Sequence, residues 1–378
     1  MPLFYLVAGE ASGDVLGARL MEALARAVPA ARFSGIGGPR MAEAGLASLF
    51  PIEELAVMGL IEVLPRLARL RRRLEETVQD ILARRPDVVI TIDTPGFALR
   101  LLKRLKGSGI KRVHYVAPQV WAWREGRIKH FAGLWERLLC LLPFEVPYFA
   151  RFGLEGVFVG HPVLESGADR GDGAAFRARA GLDASLPLIV LMPGSRRSEA
   201  ARLLPVYRGA LGRLAAEGHV FGAVLPASPS VASLLAAELA HWPYPPRLVT
   251  TPADKYDAFA AAQAALTKSG TSTLELALAG VPMAVTYRVN RLTGAIARRL
   301  IRLPHVAMVN VLAGRTVVPE LLQENCTPER LAAALATLLT DEAARAAQRA
   351  LFHEILPTLR PPQGRPSEAA AAAILELL

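Results

Sequence analysis

The chain has 378 residues, 52% apolar and 21% charged, which suits two folded domains with their own cores and argues against disorder. Only two cysteines occur, Cys140 and Cys326, too few and too far apart for a disulfide framework or a thiolate zinc site. The net charge of +10 points to a polyanionic partner, but 6% aromatic residues and no zinc-finger or RNA-binding signature make nucleic acid the weaker candidate.

The opening MPLFYLVAGEASGD has no basic region, and its apolar run is too short for a signal peptide. No stretch approaches the ~18 apolar residues of a membrane span. The expectation is a cytoplasmic protein whose membrane contact, if any, is peripheral. Leu3 to Ala8 reads as a buried strand ended by Gly9, and Val15, Leu16, Leu20, Met21, Leu24 and Ala25 mark a helix. A strand, a glycine-containing turn and a helix open a doubly wound domain, although the turn lacks GxGxxG. After a strand at Ala31 to Ser34, the loop Gly35 to Pro39 serves either close ligand approach or a tight turn.

Residues 52–64 are strongly apolar for a connection and lead into a basic amphipathic helix, Pro65 to Leu74. Its leucines at 67, 70 and 74 share a face. The segment is either a core-facing helix with a solvated side or an interfacial element with arginines on anionic lipid. Asp87 to Asp93 is the clearest strand, and Asp93 stands at its carboxyl end, where parallel sheets collect functional groups. A general base and a cap for the next helix fit that position equally. From Ala98 to His130 the chain has nine Lys/Arg and one acid, Glu125. There the strand Val113 to Ala117 runs into PQVWAWR, with two tryptophans on one loop beside arginines, a pattern that favours a binding surface.

Further strands at 138–142 and 157–160 end in Gly160-His161-Pro162. GADRGDG, at 167–173, is the most linker-like stretch. The expected domains are 1–166, 167–345, and the closing helices 346–378, which could pack back on the first. The second half repeats the α/β rhythm. The strand 187–192 runs into Gly194, Ser195 and Arg196, a turn suited to phosphate that is not a Walker A loop. The strand 264–266 runs into Ser269, Gly270, Thr271 and Ser272, with Thr271 or Ser272 as helix N-cap and Glu275 three beyond Ser272, as in a capping box. A second basic apolar helix is expected at 292–303. Two anion-friendly turns in one half suit a nucleoside diphosphate, with Glu275 accepting from ribose hydroxyls. The fold class expected is α/β, two doubly wound Rossmann-like domains facing a cleft, the GT-B type.

Six segments then carry a resemblance: GEASGDVLGARL (9–20), ELAVMGLIEVL (54–64), PQVWAWR (118–124), GHP (160–162), MPGSR (192–196) and SGTSTLE (269–275). Together, in order and over nearly the whole chain, they resemble the lipid-A-disaccharide synthase family of inverting GT-B glycosyltransferases. The resemblance implies condensation of UDP-2,3-diacylglucosamine with 2,3-diacylglucosamine 1-phosphate, giving the β-1,6 disaccharide and UDP, with no metal or cofactor. It implies Asp93 as general base. It implies donor contacts at Gly194, Ser195, Arg196, Ser269, Gly270, Thr271, Ser272, Glu275 and Asn310. Acceptor or cleft contacts fall on Gly9, Glu10, Ser12, Gly13, Asp14, Gln119, Trp121, Trp123 and Arg124.

Acylated substrates shift the apolar and basic segment toward membrane or acyl contact, through Val57, Met58, Leu60, Ile61, Leu64, Arg66, Arg69, Arg72 and Arg73. The implied place is the inner face of the cytoplasmic membrane, and a homodimer is compatible. Val309 stands where the family's P-N-x-L-A-G segment has proline, Met192 replaces a leucine, and Lys268 precedes the SGT turn. Lys268 reads as directed to solvent, with charge near the diphosphate as the other option. A muramyl-peptide N-acetylglucosaminyltransferase would share the donor half, although PQVWAWR argues against it, and a UDP-sugar epimerase would use similar domains with no lipid acceptor. A non-catalytic lipid- or nucleotide-binding protein is the alternative of another class.

Overall fold

The computed structural model describes residues 1–55, 67–123, 125–194, 196–227, 229–290 and 304–378. The apolar segment 57–64, Arg66, Arg124, Ser195 and the expected helix 292–303 lie outside these. The chain divides into two compact units, Met1–Pro162 with Leu359–Leu378, and Val163–Thr358.

The first unit is built on six parallel strands: β1 (Leu3–Ala8), β2 (Arg32–Ile36), β3 (Val88–Ile92), β4 (Lys111–Tyr115), β5 (Arg137–Cys140) and β6 (Gly156–Phe158). Their order is β2-β1-β3-β4-β5-β6. Its helices are α1 (Ala11–Ala27), α2 (Pro39–Glu43), α3 (Leu67–Arg84), α4 (Pro95–Arg104), α5 (Val120–Trp123) and α6 (Glu145–Ala150). Continuous apolar runs such as Val88-Val89-Ile90 are fully buried, as expected of strands covered on both faces. Leu70 and Leu74 of α3 pack on a core of Val78, Ile81, Phe97, Leu101 and Leu105, whereas Leu67, at the start of the helix, is exposed.

The second unit has α7 (Gly173–Ala180), β7 (Leu188–Met192), α8 (Arg197–Ala216), β8 (Gly222–Pro226), α9 (Pro229–Leu239), β9 (Arg247–Val249) and α10 (Pro252–Ala261). It continues through β10 (Ala264–Lys268), α11 (Ser272–Leu278), β11 (Met283–Tyr287), α12 (Met308–Ala313), β12 (Glu320–Leu322), α13 (Pro328–Thr340) and α14 (Glu342–Ile355). Its parallel sheet has the order β12-β11-β10-β7-β8-β9. The last helix, α15 (Pro366–Leu375), belongs to the first unit, where it packs on α1 and Glu376 pairs with Arg137.

Two expectations shift. The unit division falls after Pro162, and α14 stays with the second unit. The stretch 167–173 is not a free linker. A side-chain carbon on Gly171 would lie 2.0 Å from the Tyr256 carbonyl oxygen, and one on Gly173 2.7 Å from Ala260. Glycine there lets the chain lie directly on α10.

Each sheet has one point where its strand order reverses, β1/β3 in the first and β7/β10 in the second. Crevices beyond the carboxyl ends of strands open at such points. The loops that meet there are those after β1 and β3, and those after β7 and β10.

Candidate active site

At the β1/β3 point, Gly9 and Glu10 follow β1 while Asp93 and Thr94 follow β3. A carbon on Gly9 would lie 2.5 Å from Thr94 Oγ1, so glycine is what allows the two loops to meet. Asp93 and Thr94 both adopt left-handed backbone, at φ 50° and 46°, and Val116 beyond β4 does so at 78°. Conformations of this kind cost about 1–3 kcal/mol each and cluster at functional sites. The Asp93 amide donates to the Tyr115 carbonyl at 2.9 Å, which fixes the loop to the next strand. No sequence pattern announced this strained corner.

Asp93, Thr94 and Glu10 line a cavity of about 1400 Å³ that runs along α3 and α4. Leu55, Leu67, Leu70, Leu74 and Phe97 make it apolar, and Arg71, Arg72, Arg100 and Arg104 edge it with charge. In sequence Arg100 and Arg104 are only part of a basic stretch; their i, i+4 spacing is the signal that puts them on one face of the helix.

Several expected contacts are instead structural. Asp14 is buried and accepts from the amides of Gly38 (2.8 Å), Arg40 (3.0 Å) and Met41 (3.0 Å), anchoring α2 and the second glycine loop. Arg73 is clamped between Glu54 and Glu76, 2.6 Å from each, with its guanidinium 4.5 Å from the centre of the Phe50 ring. That guanidinium is committed inside the fold and is not free to meet lipid as expected, whereas Arg69 and Arg72 are exposed on α3. Trp121 packs edge-on against Phe144 and donates from Nε1 to Glu145 at 3.2 Å. Burial pushes the Glu145 carboxyl up to about 7, although Leu141 and Leu142 amides also donate to it. Gln119 and Ser12 are exposed and Gly13 is buried against β3. The backbone of Trp123 ends α5.

At the β7/β10 point the two anion-friendly turns come together. Lys268 Nζ lies 2.9 Å from Glu199 Oε1, and Arg196 donates to the same oxygen at 3.1 Å. Lys268 is therefore directed inward, not to solvent. Gly194, at φ 112°, makes room for Glu199, whose Oε2 a side-chain carbon would approach to 2.5 Å. The capping box does not form. Ser272 is the first helical residue, its hydroxyl bonded to Thr267 and Lys268, and Thr271 at the N-cap makes no side-chain cap. Glu275 turns to α10 instead, where Lys255 Nζ lies 2.8 Å from both its oxygens and the Tyr256 hydroxyl donates at 3.1 Å. Ser269 donates to the Val306 carbonyl, while Gly270 and Thr271 are exposed.

Asn310 is fully buried and saturated. Its Nδ2 donates to Val318 O and Glu320 Oε1, both at 2.8 Å, and its Oδ1 accepts the Val317 and Val318 amides at 3.1 Å. It shapes the loop before β12 and has no donor left for a nucleotide.

The family model described as lipid-A-disaccharide synthetase matches residues 4–374. Lipid-A-disaccharide synthase of Granulibacter bethesdensis is 60% identical over 388 residues, covering 100% of this chain and 99% of that protein. The chain belongs to the lipid-A-disaccharide synthase family. Its fold is that of the GT-B glycosyltransferases. Among solved structures, Acinetobacter baumannii MurG superposes with a TM-score of 0.59 at 14% identity, each chain covered in full. UDP-GlcNAc 2-epimerase from Neisseria meningitidis, bound to UDP-GlcNAc, gives 0.63 at 11%, covering 100% of this chain and 99% of that one. At such identities these two share the architecture alone; the synthase family is fixed by the sequence match. Among the described residues of this family member, no helix is long and apolar enough to cross a membrane.

Proposed function

We propose that the family's reaction, glycosyl transfer that forms the lipid A disaccharide, runs in this chain with Asp93 as general base. The observation that carries this is a carboxylate at the β1/β3 reversal point, opening on a cavity that is both apolar and arginine-edged. Such a cavity suits a diacylglucosamine 1-phosphate acceptor. Asp93 takes the proton of the acceptor 6-hydroxyl while that oxygen attacks the anomeric carbon of UDP-2,3-diacylglucosamine. The bond from that carbon to the diphosphate oxygen breaks, its electron pair leaves with UDP, and the configuration inverts in one displacement.

The donor's diphosphate belongs to the turns at Gly194–Arg196 and Ser269–Ser272. Arg196 and the backbone amides there stabilise the charge that develops on the leaving UDP. Glu275 accepts from ribose; Lys255 and Tyr256 leave part of its four lone-pair sites unused. Arg69 and Arg72, exposed on α3, reach anionic headgroups at the inner membrane face. A UDP-sugar epimerase would have no use for an acyl-sized cavity beside its base.

The test is incubation with both acylated sugars, followed by chromatography for disaccharide and UDP. Product that requires both substrates supports the proposal; its absence, with either sugar varied, defeats it. Replacing Arg69 and Arg72 by Glu should abolish sedimentation with anionic vesicles, and unchanged sedimentation would remove the membrane role.

A further inference from the structure

The helices α3 and α4 lie side by side. Each leads from the carboxyl end of one parallel strand back to the amino end of another, α3 into β3 and α4 into β4, so the two run in the same direction. They share a core, and Arg104 of α4 is bridged to Glu75 of α3 at 2.8 Å. One helical turn earlier on each, about 5.4 Å nearer the carboxyl ends of the strands, stand Arg100 and Arg71. The next rung of this ladder is thus two arginines rather than an arginine and a carboxylate. Both are exposed, both line the Asp93 cavity, and neither has an ion pair among the described residues.

We propose that Arg71 and Arg100 together receive the phosphate monoester of the acceptor and so determine its specificity. Two guanidiniums that line one cavity from neighbouring helices can converge on a multivalent anion, which offsets their mutual repulsion, and planar forks match phosphate oxygens in pairs. Their position supplies the rest of the recognition. Leu67, Leu70 and Phe97 offer apolar surface for acyl chain beside them, and Asp93 lies at the same end of α4, where the attacking hydroxyl would be. The proposal rests on the acceptor reading of this cavity. Arg104, neutralised by Glu75, is the built-in comparison: same helix, same cavity, charge already matched.

The experiment measures kcat/KM for Arg71→Gln, Arg100→Gln and Arg104→Gln with two acceptors, diacylglucosamine 1-phosphate and the same sugar without phosphate. Loss of a charge-assisted contact of this kind is worth about tenfold or more. Arg71→Gln and Arg100→Gln should each lose about that factor, through acceptor KM, with the phosphorylated sugar only. Arg100→Lys should recover part of the loss, Arg104→Gln should leave the preference for phosphate intact, and donor KM should not move. Equal loss with both acceptors, or none with either, overturns the proposal. So does a variant that loses sedimentation with anionic phospholipid vesicles yet keeps the preference for phosphate, since the arginines would then serve headgroups. Failure of the Asp93 reading is separable: it would leave Asp93→Asn active while the acceptor preference of the arginine variants could still be read.

Discussion

Lys268 Nζ lies 2.9 Å from Oε1 of Glu199, joining the end of β10 to the first turn of α8. Arg196 meets the same oxygen, so one carboxylate holds two cations at the point where the second sheet reverses its order. The two turns that suggested a phosphate site separately are one structure. Glu199 holds both cations at this corner, where the proposed diphosphate site lies.

Lys268→Met is accordingly expected to weaken UDP binding. A partly buried charge contact of about 1 kcal/mol corresponds to roughly fivefold in Kd. Titration calorimetry at two salt concentrations checks this, and the difference from wild type should shrink at high salt. An unchanged Kd would mean that Lys268 serves the Glu199 pair alone.

Gly9 and Thr94 make a second test. Gly9→Ala places a methyl 2.5 Å from Thr94 Oγ1 and 2.9 Å from its Cβ, so the left-handed Asp93–Thr94 corner must move. Displacement of that order lowers turnover by about 10- to 100-fold. Adding Thr94→Gly removes the colliding atoms and relaxes the backbone, and turnover should partly return. A double variant as impaired as Gly9→Ala would show that the steric account is wrong.

Acid stability follows from three buried groups of the first unit. Burial pushes His114 and His161 down to about 4 and lifts Glu145 to about 7. The unfolded chain takes up imidazole protons below about pH 6.5 that the folded chain refuses. The histidine contribution is therefore complete above that pH and lost as pH falls toward 4. Glu145 acts oppositely: its contribution is complete below its ordinary 4.5 and lost as pH rises through 7. Glu145→Gln should steepen the loss of stability between pH 7 and 5, by on the order of 1–3 kcal/mol in urea unfolding. Parallel pH profiles for variant and wild type would contradict this.

Much of the architecture was legible because it is written locally. Short apolar runs closed by turn residues, such as Leu3 to Ala8 and Val88 to Ile92, read as buried strands, and Asp93 gained its meaning from ending one of them. The fate of the polar side chains was not legible, because it depends on partners far along the chain. Asp14 looks like a loop carboxylate until Gly38 and the first turn of α2 bring three amides to it. Arg73 looks like its neighbours on a basic helix until Glu54 closes on it. Asn310 resembles a ligand contact in sequence, yet Val317, Val318 and Glu320 exhaust its hydrogen bonds. Glu275 met the spacing of a capping box, but Lys255 offers a full charge where the helix offers one amide. Membrane contact by 57–64 falls outside the described residues.

Asp93→Asn tests the central claim most directly. Asparagine tolerates left-handed backbone at least as well as aspartate, so the corner at φ 50° is kept while the proton acceptor is lost. Turnover of the two acylated sugars should fall by about 10²- to 10⁴-fold, with UDP affinity as in wild type. An Asp93→Asn variant that turns over at the wild-type rate would contradict the account.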